Sequence, residues 1–242
     1  MADPEGKIAL LAGASGLVGS HLLDALLGAP EFSRVFAVSR RALGREHARL
    51  ANRIVQFDRL ESQLKGLNCH GAFCCLGSRS GTDSSELVRI EREHVLAFAR
   101  AARAAGAERF VFLSCAGADA RARRPQLSLK ADAERALEAL GFTSLDILQP
   151  GPLLGMRREV HLGELAGMLG ALCLGPFLRG AREAHRPLPA TTVAQAMLGA
   201  WRSGRRGLYR YTHSGIRTLA SARPGARPAP APAPAPRTRR GA

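Results

Sequence analysis

Residues 7–27 constrain this chain more than any other stretch. The apolar run Lys7-Ile8-Ala9-Leu10-Leu11-Ala12 ends in Gly13, and two more glycines follow at Gly16 and Gly19. Apolar residues then recur at helical spacing through Leu22, Leu23, Leu26 and Leu27. That order predicts a strand, a tight glycine turn and an amphipathic helix. The open amides and positive dipole end of such a helix suit an anion, here the pyrophosphate of a dinucleotide. Gly13 would allow the turn, Gly16 the approach of phosphate, and Gly19 close packing of helix on strand. Ser15, Leu17 and Val18 complete the candidate phosphate loop. The spacing is G-x-x-G-x-x-G rather than G-x-G-x-x-G, and a bare structural turn is the alternative.

The rest of the chain repeats the alternation of strand and helix. Arg34–Ser39, Arg53–Phe57, Gly71–Leu76, Arg109–Leu113 and Thr143–Leu148 read as further strands. Asp83 with Glu86 forms a capping box for a long helix from Ser84 to about Ala105, and Gly106 stops it. A second helix runs from about Leu127 to Leu140. This alternation predicts an α/β fold: a Rossmann-like doubly wound parallel sheet with ligands at the carboxyl ends of its strands. Beyond Gly155, Met156–Glu159 and Gly163–Leu178 suggest a small, mostly helical lid. Thr192 with Gln195 predicts a cap for a helix ending near Ser203, and Tyr209–Thr212 a short edge strand. The expected organisation is one domain over residues 1–221, with 156–221 as the substrate-side lid, followed by a disordered tail at 222–242.

Charge separates the candidate partners. Of the 35 cationic residues all but Lys7, Lys65 and Lys130 are arginine, and the net charge is +15. The Pro/Ala/Arg tail carries five arginines and no acid, so a third of that excess lies outside the expected domain. The basic stretches have no interleaved aromatics, so a nucleic-acid reading rests on charge alone. No apolar run is long enough to span a bilayer and no cleavable leader opens the chain, which makes the cytoplasm the expected location. Five cysteines, without paired or metal-ligand spacing, fit reduced thiols and no metal site. Cys75 and Cys115 close neighbouring strands; they are expected as buried small residues, or else as a pair near the cofactor.

The second strand ends in Ser39-Arg40-Arg41, where a carboxylate would favour NAD(H) by accepting from the ribose hydroxyl. Arg40, with Arg41, instead suits a 2′-phosphate, which predicts NADP(H), with NAD(H) as the second candidate cofactor. Asp58 closes the third strand and could accept from an adenine amino group or cap its own turn. Gly77 and Ser78 could pass under the cofactor.

The glycine turn, Cys75-Leu76-Gly77-Ser78, Leu113-Ser114, Gly117-Ala118-Asp119, Lys130, Pro150-Gly151 and Arg157-Arg158-Glu159 stand in one order along residues 6–220. In that order they resemble the atypical short-chain dehydrogenases/reductases, in particular the Tat-interacting-protein oxidoreductase branch. The resemblance implies a Rossmann fold binding NADPH or NADH, and adds Leu76, Pro150 and Gly151 to the cofactor-contacting residues. It also implies a Ser-Tyr-Lys catalytic set. Ser114 and Lys130 match that set, Lys130 also as the ammonium that holds the cofactor's nicotinamide ribose, but Gln126 stands four residues before Lys130 where the tyrosine belongs, and the only tyrosines are Tyr209 and Tyr211. Two functions remain. One is a reductase of a small carbonyl or quinone, protonating its product through water or through Tyr209 or Tyr211 folded over the site. The other is an NADPH-binding sensor or scaffold, answering to a protein partner, with little or no turnover. The tail composition yields a direct expectation: deleting residues 222–242 leaves the melting temperature unchanged, and a drop of several degrees would mean that the tail packs on the domain.

Overall fold

The computed structural model describes residues 6–78, 81–155 and 180–222. The expected lid at 156–178 and the tail after Ala222 lie outside the described residues.

β1 (Lys7–Ala12) is the axis of the fold. It pairs in parallel with β2 (Phe32–Ser39) on one side and β4 (Gly71–Cys74) on the other. Its apolar run is unbroken because both faces are covered. Ala9 and Leu11 enter one core, and Leu10 and Ala12 enter the other. β3 (Leu50–Ile54) flanks β2, and β5 (Arg109–Leu113), β6 (Ser144–Leu148) and β9 (Gly207–Tyr211) continue beyond β4. The order is β3-β2-β1-β4-β5-β6-β9, all parallel. The chain reverses its direction of travel across the sheet between β1 and β4, the switch point where such sheets bind ligands.

On one face lies α1 (Leu17–Gly28), whose Leu22, Leu23 and Leu26 are buried against α6 (Ala190–Arg202). On the other face lie the short α2 (Leu60–Gln63), α4 (His94–Ala104) and α5 (Pro125–Glu138). The long helix after Ser84 forms as α3 (Ser84–Val88), a π-helical turn over Arg89–Glu93, and α4. It ends at Gly106, whose φ of +90° only glycine adopts readily.

Several expectations shift for physical reasons. β3 begins three residues earlier than its apolar residues suggest. Val55 and Phe57 leave the edge strand and turn inward, Phe57 stacking on His94 at 4.6 Å. Asp83 caps Ser85 N at 3.0 Å, while Glu86, its expected box partner, pairs with Arg40 instead. Thr192 caps nothing, because α6 starts two residues earlier, behind Pro189. Residues 190–221 do not stand apart as a lid. α6 packs on the sheet, β9 is the edge strand expected at Tyr209–Thr212, beginning two residues earlier, and α7 (His213–Ser221) lies against α6. Any side chain at Gly199 would collide with Leu219 O. The pair β7 (Leu153–Leu154) and β8 (Leu188–Pro189) and a 3₁₀ turn at Gly180–His185 cap the carboxyl end of the sheet near β6. Among the described residues no helix is long and apolar enough to cross a membrane.

β6 carries one buried acid. Asp146 is 1% exposed and accepts from Tyr211 Oη at 2.9 Å and Ser144 Oγ at 2.8 Å. Burial outweighs these bonds and raises its pKa from 3.8 to about 6. The native state therefore holds this proton more tightly than the unfolded chain. Its contribution to stability is complete below pH 3.8 and is lost as pH rises through 6. Two pH units correspond to about 3 kcal/mol. Denaturant unfolding of the parent and Asp146→Asn at pH 4 and pH 7 should show the parent losing more stability than the variant, by up to that amount. Parallel losses would mean that Asp146 titrates like an exposed carboxylate.

Candidate active site

The carboxyl ends of β1 and β4 meet at the glycine turn. Gly13 has φ +84°, and a Cβ there would sit 2.5 Å from Cys75 O and 3.0 Å from Leu76 N. The turn therefore rests directly on the backbone that follows β4. Gly16 N donates to Gly13 O at 2.9 Å. Gly16 is the N-cap of α1 in extended conformation, with no side-chain cap on the helix amides. Ser15 and Gly16 are exposed, and a Cβ on Gly16 would meet only Gly13 O, at 3.3 Å. This open cradle of uncapped amides fits a pyrophosphate. Val18 is buried, and Leu17 is half-buried with its side chain against Gly155. A Cβ on Gly19 would run into Gly13 O, so α1 reaches the turn only because residue 19 is glycine.

Arg40 and Arg41 follow the carboxyl end of β2 and are both exposed. Arg40 Nη1 lies 3.5 Å from Glu86 Oε1, and Ser39 Oγ donates to Arg41 O at 2.6 Å. Asp58 lies in the 3₁₀ turn after β3 and faces Arg89 at 3.7 Å. Leu76 and Gly77 follow β4 beside the glycine turn. Pro150 O accepts from Ala116 N at 2.8 Å, and Gly151 lies against the His185–Arg186 backbone.

The corner around Ser114 and Lys130 is built differently from what the sequence suggests. Lys130, on α5, is 4% exposed. Its Nζ lies 2.9 Å from Glu91 Oε2 and donates to Leu76 O at 2.9 Å and Leu113 O at 3.2 Å. Glu91, in the π turn, is fully buried. Its Oε1 accepts from Ser78 N at 2.7 Å, Ser78 Oγ at 2.6 Å and Gln126 Nε2 at 3.1 Å. Burial would raise the Glu91 pKa, but Lys130 and the Ser78 bonds outweigh it and hold the carboxyl below its usual range. Ser114, just past β5, donates its hydroxyl proton to Glu134 Oε1. Glu134 also accepts from Gln149 Nε2, at 2.9 and 3.0 Å, and from Arg210 Nε at 3.2 Å.

Sequence reasoning missed both acids. Their signal was a charge on an apolar helical stripe: Glu91 heads the series 91, 95, 98, 102, and Glu134 sits between Lys130 and Leu137 on the buried face of α5.

The tyrosines do not fold over this corner. Tyr211 is 3% exposed with its hydroxyl on Asp146, and Tyr209 Oη donates to Arg206 O, ahead of β9 at the opposite end of the strands. Cys75 is buried against Met197, with Sγ 3.6 Å from Sδ. Burial pushes the Cys115 thiol up to about 11, and Cys69, Cys74, Cys75 and Cys115 are all free.

Residues 9–133, more than half of the chain, match the model of the NAD dependent epimerase/dehydratase family. The chain belongs to this family. Among family relatives, rat "Protein HTATIP2" is 34% identical over 201 residues, covering 80% of this chain and 81% of its own length. The Aspergillus oryzae "Protein fmp52-1, mitochondrial" is 36% identical over 200 residues, covering 78% and 84%. The rat relative bears out the resemblance to the Tat-interacting-protein branch. The solved structure of MoeE5 with UDP-glucose and NAD shares the fold with a TM-score of 0.63 at 19% identity, covering 84% of this chain and 75% of its own. WbmG of Bordetella bronchiseptica, solved with NAD, aligns with a TM-score of 0.64 at 15% identity, covering 89% and 77%.

The helix–turn contact carries a stability expectation. Gly19→Ala should lower stability by about 3 kcal/mol or more, because the new methyl meets backbone that cannot yield. Gly28, in the same helix, serves as the control, because a methyl group there would have nothing within 4 Å. Gly28→Ala should be neutral or slightly stabilising. Thermal melts compare them, and equal melting temperatures would mean that α1 can slide away from the turn.

Proposed function

We propose that this chain binds NADP(H) across the switch point and reduces carbonyl or quinone substrates slowly or not at all, acting as a nicotinamide-nucleotide sensor or scaffold. The uncapped α1 amides at Leu17 and Val18 would take the pyrophosphate, and Arg40 with Arg41 the 2′-phosphate. Asp58 is offered to the adenine. Leu76, Gly77, Pro150 and Gly151 would border the nicotinamide half. Arg40 is already paired with Glu86, but that pair is solvent-exposed and is worth at most about 1 kcal/mol. A charge-assisted bond to phosphate is worth about 1.5–3 kcal/mol, so the phosphate displaces Glu86.

One observation carries the low-turnover reading: the polar hydrogens at positions 114, 126 and 130 are engaged within the protein. A bound nicotinamide would supply a hydride, and the oxyanion left on a reduced carbonyl must then be held or protonated. Ser114 directs its one proton to Glu134. Lys130 faces Glu91, Leu76 O and Leu113 O. Gln126 faces Glu91 and Ser78, and an amide is no proton donor of useful acidity. A missing general acid typically costs 10²–10⁴-fold. Among the described residues, the competing reading, an active reductase, is left with an ordered water as donor, since neither tyrosine hydroxyl is directed to the site. A cytoplasmic location stays part of this proposal, although the fungal relatives carry "mitochondrial" in their names.

Fluorescence titration should give an NADPH affinity at least tenfold above that for NADH, reversed by Arg40→Asp and lost in Gly16→Val. Carbonyl and quinone panels should show turnover far below an ordinary enzyme's rate of about 10 s⁻¹. Equal affinities would remove the role of Arg40, and turnover near that rate would overturn the sensor reading.

A further inference from the structure

We propose that Glu91 is a positioning residue for the cofactor cleft: its buried carboxylate fixes the Leu76–Ser78 segment on which the Gly13 turn rests. This deepens the cofactor-site reading above and depends on it.

Leu76–Ser78 belongs to no strand or helix, so its own backbone ladder does not hold it. Glu91 supplies what is missing. Oε1 receives both Ser78 N and Ser78 Oγ, a two-point grip on one residue. Oε2 holds Lys130, and the same ammonium grips Leu76 O two residues upstream and Leu113 O on the neighbouring strand. The segment is thus pinned at both ends by one ion pair. Its other side is the Gly13 turn, where the Cys75–Leu76 peptide lies too close to admit a Cβ. A shift in Leu76 therefore moves the turn that presents the α1 amides.

The energetics favour a geometric role. A fully buried ion pair returns little net stability over an apolar pair of the same volume, because both charges lose their water. Its worth lies in allowing only one arrangement of its partners. Its location also fits, since π-helical turns within α-helices gather at functional sites.

Two variants test this: Glu91→Gln, of nearly identical shape, and the double variant Glu91→Leu with Lys130→Met, which leaves no uncompensated charge. Each is titrated with NADPH well below its melting temperature, and amide hydrogen exchange is followed at Gly77 and Ser78, with β2 amides as the reference. A folded variant should bind NADPH at least tenfold more weakly and exchange faster at Gly77 and Ser78 but not in β2. A brace serving stability alone would lower the melting temperature and leave affinity untouched at low temperature. Should the single variant not fold, the double variant decides. NADPH affinity within twofold of the parent in either folded variant overturns the proposal, as does weakened binding without faster exchange at Gly77 and Ser78. A parent that binds neither NADPH nor NADH overturns the cofactor reading itself, and the exchange data then still report whether Glu91 holds the segment.

Discussion

The contact between Lys130 and Glu91 joins four elements that the backbone ladder alone does not tie together at this end of the sheet. Lys130 comes from α5 and Glu91 from the π turn before α4. Between them they hold the chain leaving β4 and the last carbonyl of β5. Either charge alone would be costly in this environment, so each residue requires the other. The pair fixes the wall of the cleft beside the glycine turn. It also engages the ammonium that the family resemblance would assign to a ribose.

The architecture was legible because it depends on short-range physics. An unbroken apolar run, a glycine turn and a helical apolar stripe yielded β1 and α1, and the same alternation yielded the sheet. The errors fall where tertiary contacts outweigh local pattern. Phe57 left the edge strand for a stacking partner on α4. α6 and α7 joined the main layers rather than a lid, and Gly199 lets α7 approach α6 closely, a contact that no window of sequence displays.

The candidate site was legible only in part. The glycines carry their roles in their residue type, since nothing else tolerates the conformation or the close approach. Ser114 and Lys130 were recognisable as positions, but their partners were not. Glu91 comes from a different helical segment than Lys130, and Glu134 lies 20 residues beyond Ser114 on another element. A charge on an otherwise apolar stripe was the available sign. Glutamine in place of tyrosine at position 126 is the sequence feature that points toward the low-turnover proposal. The structure adds that these remaining groups face inward, toward Glu91 and Glu134.

That inward engagement is the centre of the account, and the scarcity of lysine makes it directly observable. With ¹⁵N-labelled lysine the protein has three side-chain ammonium groups, at Lys7, Lys65 and Lys130. Lys130 alone is buried, 4.7 Å from the Phe112 ring centre. Its NMR signal, identified by its loss in Lys130→Met, should be shifted by the ring, slow to exchange with water, and unchanged when NADPH is added. Fast exchange, or a clear shift of that signal on NADPH addition, would mean that the ammonium is free to serve the cofactor and would contradict the account.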